Sequence, residues 1–451
     1  VATEQHAGAL ALRRLRQARG WSWSDLARQL RDLARALRFE RISNADLASI
    51  RRAIARWEAG QAQPGDQYQV LLGHAYARTN SGAVALGPGS DFAELLHALA
   101  HYGVDTDRIT EVATLVASSA TDSGMSLLAF LGAPFSSELA AVLNAPETVN
   151  EGVLDGLDEV TRRVNAQIGS VPFVRLHLAQ AAVVDACRHL SGTQLPDPIR
   201  RRLQEVSSGA YTLAARLAFE THDDAAALAL YDQAVTAATG LPRWHAAAIR
   251  TSQTMVIYYA TGDLEAARRT VDAAVRDARA SDSHLMRARA HALQAEMAAR
   301  GDPPQTRHAH AALHLAWHDL DRDTSADPAP TSFGPGRLRG FEGVCGIFLG
   351  EAVTAEARLA QSVSTLTSPR ETVQRAIVLS DQALATLRTA LPGAPEAAAE
   401  RLHACIDLTA STRGRVPAQR VRQTRLALKP WRTEAFVADL DEHIHSAFVG
   451  L

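Results

Sequence analysis

The sequence predicts an all-α protein, and three observations carry that expectation. Alanine, leucine and arginine dominate the 451 residues, while aromatic residues make up only 5%, a composition of strong helix formers with little strand-favouring bulk. Apolar residues recur at helical spacing, as in Leu26, Leu30, Leu33 and Leu37, without the β-branched alternation of strands. A short Gly/His-Asp turn returns at near-regular intervals in the second half of the chain, the signature of stacked helix pairs. The length exceeds what one hydrophobic core usually serves. The expected division is an N-terminal domain over 1–80, a linker and helical connector over 81–170, and a helical-repeat domain over 171–451.

Within the first segment, Leu12, Leu15 and their alanine neighbours predict an amphipathic helix ending at Gly20. Ser22, with Asp25 three residues on, reads as a capping box that opens a second helix, and its leucine face continues to Leu37. Polar residues 40–44 interrupt it. Ile50, Ala53, Ile54 and Trp57 then share one face of a third helix, with Arg51, Arg52 and Arg56 on its other sides and Gly60 at its end. After the turn Pro64-Gly65-Asp66, residues Tyr68, Leu71, Leu72 and Tyr76 mark a fourth helix. A short arginine-bearing helix behind a capped helix is what lays a helix end in the major groove of DNA.

Charge points the same way. The net charge of −2 hides an asymmetry: residues 1–80 carry 13 arginines against seven acidic residues, and the remainder is net acidic. A basic module on an acidic body suits a polyanion at one end. Gly82, Gly87, Pro88 and Gly89 make residues 81–90 the clearest linker, and residues 91–167 show short helical patterns broken by Gly and Pro.

The first segment resembles the Cro/repressor-type, or xenobiotic-response-element (XRE), helix-turn-helix family of transcription regulators, in the form found in high-GC (actinobacterial) genomes. The matching residues are 12–30 and 49–60, with Pro64. The resemblance implies that the third helix enters the major groove, with Arg51, Arg52 and Arg56 facing base edges, where an arginine fork can give two hydrogen bonds to guanine. Trp23 and Gln61 would lie near phosphates, Ile54 and Trp57 in the core, and Arg16 with Glu58 would form an exposed pair tying the first helix to the end of the third. One departure is large: Ala27 to Ile54 spans 27 positions, far more than the short turn usual in the family, with the extra residues at roughly 32–47.

Farther on, Tyr258-Tyr259-Ala260-Thr261-Gly262-Asp263-Leu264-Glu265-Ala266-Ala267, with Val271 and Ala274, resembles the turn and second helix of a tetratricopeptide repeat. Weaker copies fall at His222-Asp223, Gly301-Asp302, Gly350-Glu351 and Gly393, at spacings of 40, 39, 49 and 43 residues, longer than the roughly 34 of the ideal repeat. The longest spacing holds a Pro-rich insertion at 327–336. The fold expected is therefore all-α, an N-terminal helix-turn-helix domain followed by a tetratricopeptide-like helical solenoid. Such solenoids bind extended segments on their inner face. In the expected register Thr212, Arg216, Ser252, Tyr259, His291 and Arg337 lie on first helices facing that groove, and its arginines suit a carboxylate.

Other chemistries find little support. Cys187, Cys345 and Cys405 lie far apart, so neither a zinc knuckle nor a disulfide framework is expected. His310, His314 and His318, with His308 nearby, share one helix face, but nothing completes a metal site, and a solvated face is the expectation. Asp319, Asp321 and Asp323 imitate a calcium loop, yet Thr324 and Pro330 stand where glycine and glutamate are needed. Phe436, Leu440, Ile444 and Phe448, flanked by His443 and His445, predict a terminal helix capping the last repeat. No nucleophile–base constellation is present, no cofactor is expected, and the chain is not expected to be an enzyme. No leader or membrane span is read, so a cytoplasmic protein is expected.

The expected function is that of a transcription regulator binding double-stranded DNA, with a palindromic operator. A homodimer forms through the repeats, which sense a peptide or small-molecule effector; the architecture resembles that of peptide-responsive quorum-sensing regulators. The alternative is a repeat scaffold that binds a protein partner without direct DNA recognition.

Overall fold

The computed structural model describes residues 2–121, 124, 125, 127–329, 333–368, 371–412 and 414–448. The chain is all-α, with helices packed in tandem pairs, and it divides into two units. One unit comprises Val1–Val149 with His177–Thr193, and the other Asn150–Leu176 with Gln194–Val449. Residues 81–90 lie inside the first unit.

The first unit opens with α1 (Ala2–Ala18) and α2 (Trp23–Ala36). Ser22 caps α2 in a reciprocal box with Asp25, satisfying backbone donors that a helix start leaves open. Helix α2 stops earlier than its leucine face suggests. Arg38 takes a left-handed conformation at φ 58°, and the Phe39 N–H bonds the Ala34 carbonyl at 2.9 Å. This closure usually uses glycine; here it turns Leu37 and Phe39 fully into the core. The interrupting polar stretch is itself a short helix, α3 (Glu40–Ser43), followed by α4 (Leu47–Glu58), α5 (Asp66–Tyr76), α6 (Asp91–His101) and α7 (Thr106–Ser119). Helix α1 packs on α4 and α6, and α2 on α4 and α5. The connector adds a two-residue antiparallel pair, β1 (Ala120–Thr121) and β2 (Gly124–Met125), which no sequence pattern announces, and then α8 (Ala133–Asn144).

The second unit begins with α9 (Glu151–Ala166) and the start of α10 (Phe173–Ser191). Five helix pairs then follow: α11 (Asp197–Glu220) with α12 (Asp224–Ala237), α13 (Arg243–Thr261) with α14 (Leu264–Arg279), α15 (His284–Ala299) with α16 (Thr306–Leu320), α17 (Pro335–Leu349) with α18 (Ala352–Thr365), and α19 (Thr372–Arg388) with α20 (Ala394–Thr412). The first helices also pack on one another in succession, as in a helical-repeat architecture. The pairing explains the alanine content: Ala288, Ala292, Ala295 and Ala299 of α15 share one buried cluster with Ala309, Ala312 and Ala316 of α16, where small side chains let helix axes approach closely. Gly262, at φ 70°, ends α13 in the left-handed conformation its turn needs, and Asp263 caps α14.

In α17 the crossing is tighter still. A Cβ on Gly343 would overlap Leu359 Cγ and stand 3.0 Å from the Ala355 carbonyl oxygen. The insertion before α17 is anchored: Asp327 accepts from the Ser283 hydroxyl at 2.7 Å and the Leu285 N–H at 3.0 Å, and Ala329 is buried beside Ala247 and Met286. Residues 330–332, including Pro330, lie outside the described residues.

Helices α21 (Arg415–Ala427) and α22 (Ala435–Ala447) complete the unit. Helix α22 packs on α20 with Leu440 and Phe448 buried. Helix α21 reaches back to the first pair: the Arg415 N–H donates to Glu220 at 2.7 Å, and its guanidinium pairs with Asp224. One turn on, Arg420 pairs with Asp381 of α19 and donates to the Tyr259 hydroxyl of α13. Among the described residues no helix is long and apolar enough to cross a membrane.

Candidate functional site

Helix α4 is built to present one face and hide the other. Ile50, Ile54 and Trp57 are buried, Trp57 edge-on to Tyr68 with ring centres 4.8 Å apart. Asp46 caps the start, accepting from the Ser49 N–H at 2.7 Å. At the other end, the Gln61 N–H bonds the Arg56 carbonyl and the Gly60 N–H bonds that of Trp57, each at 2.9 Å, with Gly60 left-handed at φ 68°. This is the double bond pattern of a glycine-closed helix.

The faces left over carry cations. Arg51, Arg52 and Arg56 are all exposed. Arg52 gives one N–H to the Ser49 hydroxyl at 2.8 Å, and none of the three makes an ion pair among the described residues. Exposed guanidinium groups without carboxylate partners are available to an outside anion.

The pairing of Arg16 with Glu58 differs from the exposed bridge expected. Both residues are buried, Glu58 at 3% exposure. Arg16 Nε and Nη2 donate to the two carboxylate oxygens at 2.6 and 2.8 Å, and Nη1 donates to the Trp21 carbonyl at 2.6 Å. The hydrogen bonds it donates to Glu58 hold the Arg16 guanidinium above the ordinary arginine value, against the opposing effect of burial. Trp23 Nε1 adds a third donor to Glu58 at 3.0 Å. The Trp23 ring is 42% exposed, but its N–H already has this partner. Gln61 is exposed, with its backbone N–H already used at the end of α4. Sequence reasoning sees this bridge as a surface pair because arginine and glutamate are usually exposed. Burial becomes visible only once α1, α2 and α4 meet.

The six groove candidates of the repeats do not share one place. Arg216 on α11, Ser252 on α13 and Arg337 on α17 gather around Arg289 of α15, whose Nη2 donates to Ser252 Oγ at 3.0 Å. Tyr259 belongs to a neighbouring network with Arg420, Asp381, Glu296 and Arg300. There Arg300 pairs with Glu296 at 2.6 Å and lies over the rings of Tyr258 and Phe348. Thr212 bonds back to the Ser208 carbonyl within its own helix. His291 is buried and leans toward Gln294, which bonds Asp272 of α14; its position is two residues from Arg289, on the far side of α15. The expected register turns His291 of α15 toward the groove, and Arg289, two positions earlier, therefore carries no expectation.

His310, His314 and His318 are exposed, and among the described residues no cluster of three or more His, Cys, Asp or Glu could hold a metal ion. The three cysteines are buried. No protein-family model and no curated protein matches the sequence.

Proposed function

We propose that the chain is a DNA-binding transcription regulator of the helix-turn-helix type, working in the cytoplasm, whose tetratricopeptide-like repeats dimerise and sense a peptide or other effector. The observation that carries this reading is the face of α4: three exposed arginines, free of carboxylates, on a helix fastened at its end by the buried Arg16–Glu58 pair. Helix α4 is closed at both ends, by Asp46 and Gly60, and its three arginines form no ion pair among the described residues, which suits the reading of base edges. Arg51 and Arg52 meet bases, and Arg56 lies one turn on. The net charge of +6 over residues 1–80 supports the same reading. Two such heads address half-sites about 34 Å apart, which is why the reading includes a homodimer and a palindromic operator.

The test is fluorescence anisotropy with genomic duplexes enriched by the protein and with random duplexes, at several salt concentrations, alongside light scattering of the full chain. Salt-dependent binding with a preference for the enriched duplexes supports the reading. Equal affinity for all duplexes, or no binding at low salt, refutes it.

A further inference from the structure

Two histidines face each other where the last helix lies on α20. His403 of α20 and His443 of α22 are 40 positions apart in the chain, and their Nδ1 atoms are 2.7 Å apart. The ring centres stand 5.0 Å from each other with planes 18° from parallel. The two nitrogens therefore point at one another along the line of centres, and the rings meet edge to edge rather than face over face. On the far side of the second ring, His443 Nε2 lies 3.1 Å from Asp407 of α20.

This row fixes where protons sit. Two ring nitrogens at hydrogen-bond distance need one N–H and one lone pair between them. Asp407 accepts the Nε2 proton of His443, which leaves the lone pair of neutral His443 at Nδ1, so His403 donates from its own Nδ1. One further proton can enter at His403 Nε2 without breaking that bond. The next has only His443 Nδ1 to occupy, and two N–H groups would then confront each other. The docked pair takes up one proton at most, whereas two separated imidazoles take up two.

The neighbours do not lift this limit. Among the described residues, the charged groups that bear on His403 are His443 and Asp439 of α22 and Asp407 of its own helix; α19 and α21, which also pack on α20, bring none. Burial, with His443, holds His403 below the ordinary histidine value against the pull of the two aspartates. From α21, Arg425 is occupied by Asp441, whose two oxygens each accept at 2.6 Å, and Arg422 lies over the Phe448 ring. The rest of the docking is apolar: Val437, Leu440 and Phe448 are buried.

We propose that His403, His443 and Asp407 form a proton-sensitive clasp, which holds α22 on α20 at neutral pH and releases it, with uptake of protons, in mildly acidic medium. Release uncovers the apolar side of α22 and the surface of α20 beneath it. A histidine depressed in the docked state favours docking while it is neutral. The contribution of the clasp is whole above about pH 6.5 and is lost as pH falls below it.

The experiment is amide hydrogen exchange on the full chain at pH 7.5 and 5.5, with protection factors corrected for the intrinsic pH dependence of exchange. Residues 435–447 are expected to lose protection by roughly tenfold or more at the lower pH, while α13 and α15 of the same unit keep theirs. A carboxamide can turn either an N–H or an oxygen toward the facing nitrogen, so it suits both protonation states of the remaining histidine. His403→Gln is therefore expected to keep α22 docked and to abolish the drop. His443→Gln is expected to do the same, and decides the matter should His403→Gln fail to fold. Equal protection of α22 at the two pH values in the parent, or a drop of parental size in either variant, overturns the proposal.

Discussion

The Tyr102 hydroxyl donates to the Trp57 carbonyl at 2.6 Å, joining the residue that follows α6 to the last turn of α4. That carbonyl also accepts the Gly60 N–H, so it is bonded twice. Tyr102→Phe removes one bond and leaves the other, and the expected cost is about 1 kcal/mol, read as a lowered denaturation midpoint with an unchanged slope. Affinity for DNA should not move, because Tyr102 is buried.

Arg16→Ala and Arg51→Ala should separate support from recognition. Arg16→Ala leaves the buried Glu58 carboxylate with the Trp23 N–H and the more distant Arg13 guanidinium at 3.7 Å, and breaking such a buried pair costs up to about 3–5 kcal/mol. The melt falls, and binding is lost through unfolding. Arg51→Ala removes no buried group. It should leave the melt alone and cost about 1–3 kcal/mol of affinity on the cognate duplex. An Arg51→Ala/Arg52→Ala variant that keeps full preference for that duplex would take the reading role away from α4.

Acid should destabilise the first unit through His74. Burial, with a smaller push from Arg78, holds this imidazole at about 4, well below its ordinary value, and its Nε2 meets the Ser119 hydroxyl at 3.2 Å. A depressed histidine favours the neutral form in the folded state. Its contribution is whole above about pH 6.5 and is lost as pH falls toward 4, up to about 3 kcal/mol in all. Chemical denaturation from pH 7 to 4 checks this, and His74→Gln should flatten that part of the profile.

Gly343→Ala is a case where helix propensity misleads. An alanine gains about 1 kcal/mol in a free helix. Here its methyl would overlap the branch point of Leu359, and overpacking of this kind costs about 1–3 kcal/mol. A net loss of stability is expected. An alanine variant as stable as the parent would mean that α18 can retreat.

Local chemistry was legible and long-range pairing was not. Ser22 with Asp25, Gly60 and Gly262 act through neighbours a few residues away, and each stands where the spacing places it. The left-handed Arg38 went unseen because that conformation is ordinarily the province of glycine, and with it the early end of α2. The anchoring of Asp327 on Ser283 and Leu285 and the gathering of Arg216, Arg289 and Arg337 join residues tens of positions apart. A helical period assigns faces, but it does not say which faces meet. The weakest guide was average behaviour: it put Arg16 and Glu58 in solvent, where such residues usually are.

The return of α21 to the first pair bears on how the repeat unit comes apart. In a linear stack each repeat touches only its neighbours, so opening starts at the ends and spreads inward. Here the Arg415 guanidinium donates to the Phe219 carbonyl, 196 positions away along the chain, and Arg420 bridges α19 and α13. The last helices cannot detach without uncovering the first, and each end thereby guards the other. Amide hydrogen exchange should then find α11, α13, α19 and α21 opening as one cooperative block, with no gradient of protection from the termini.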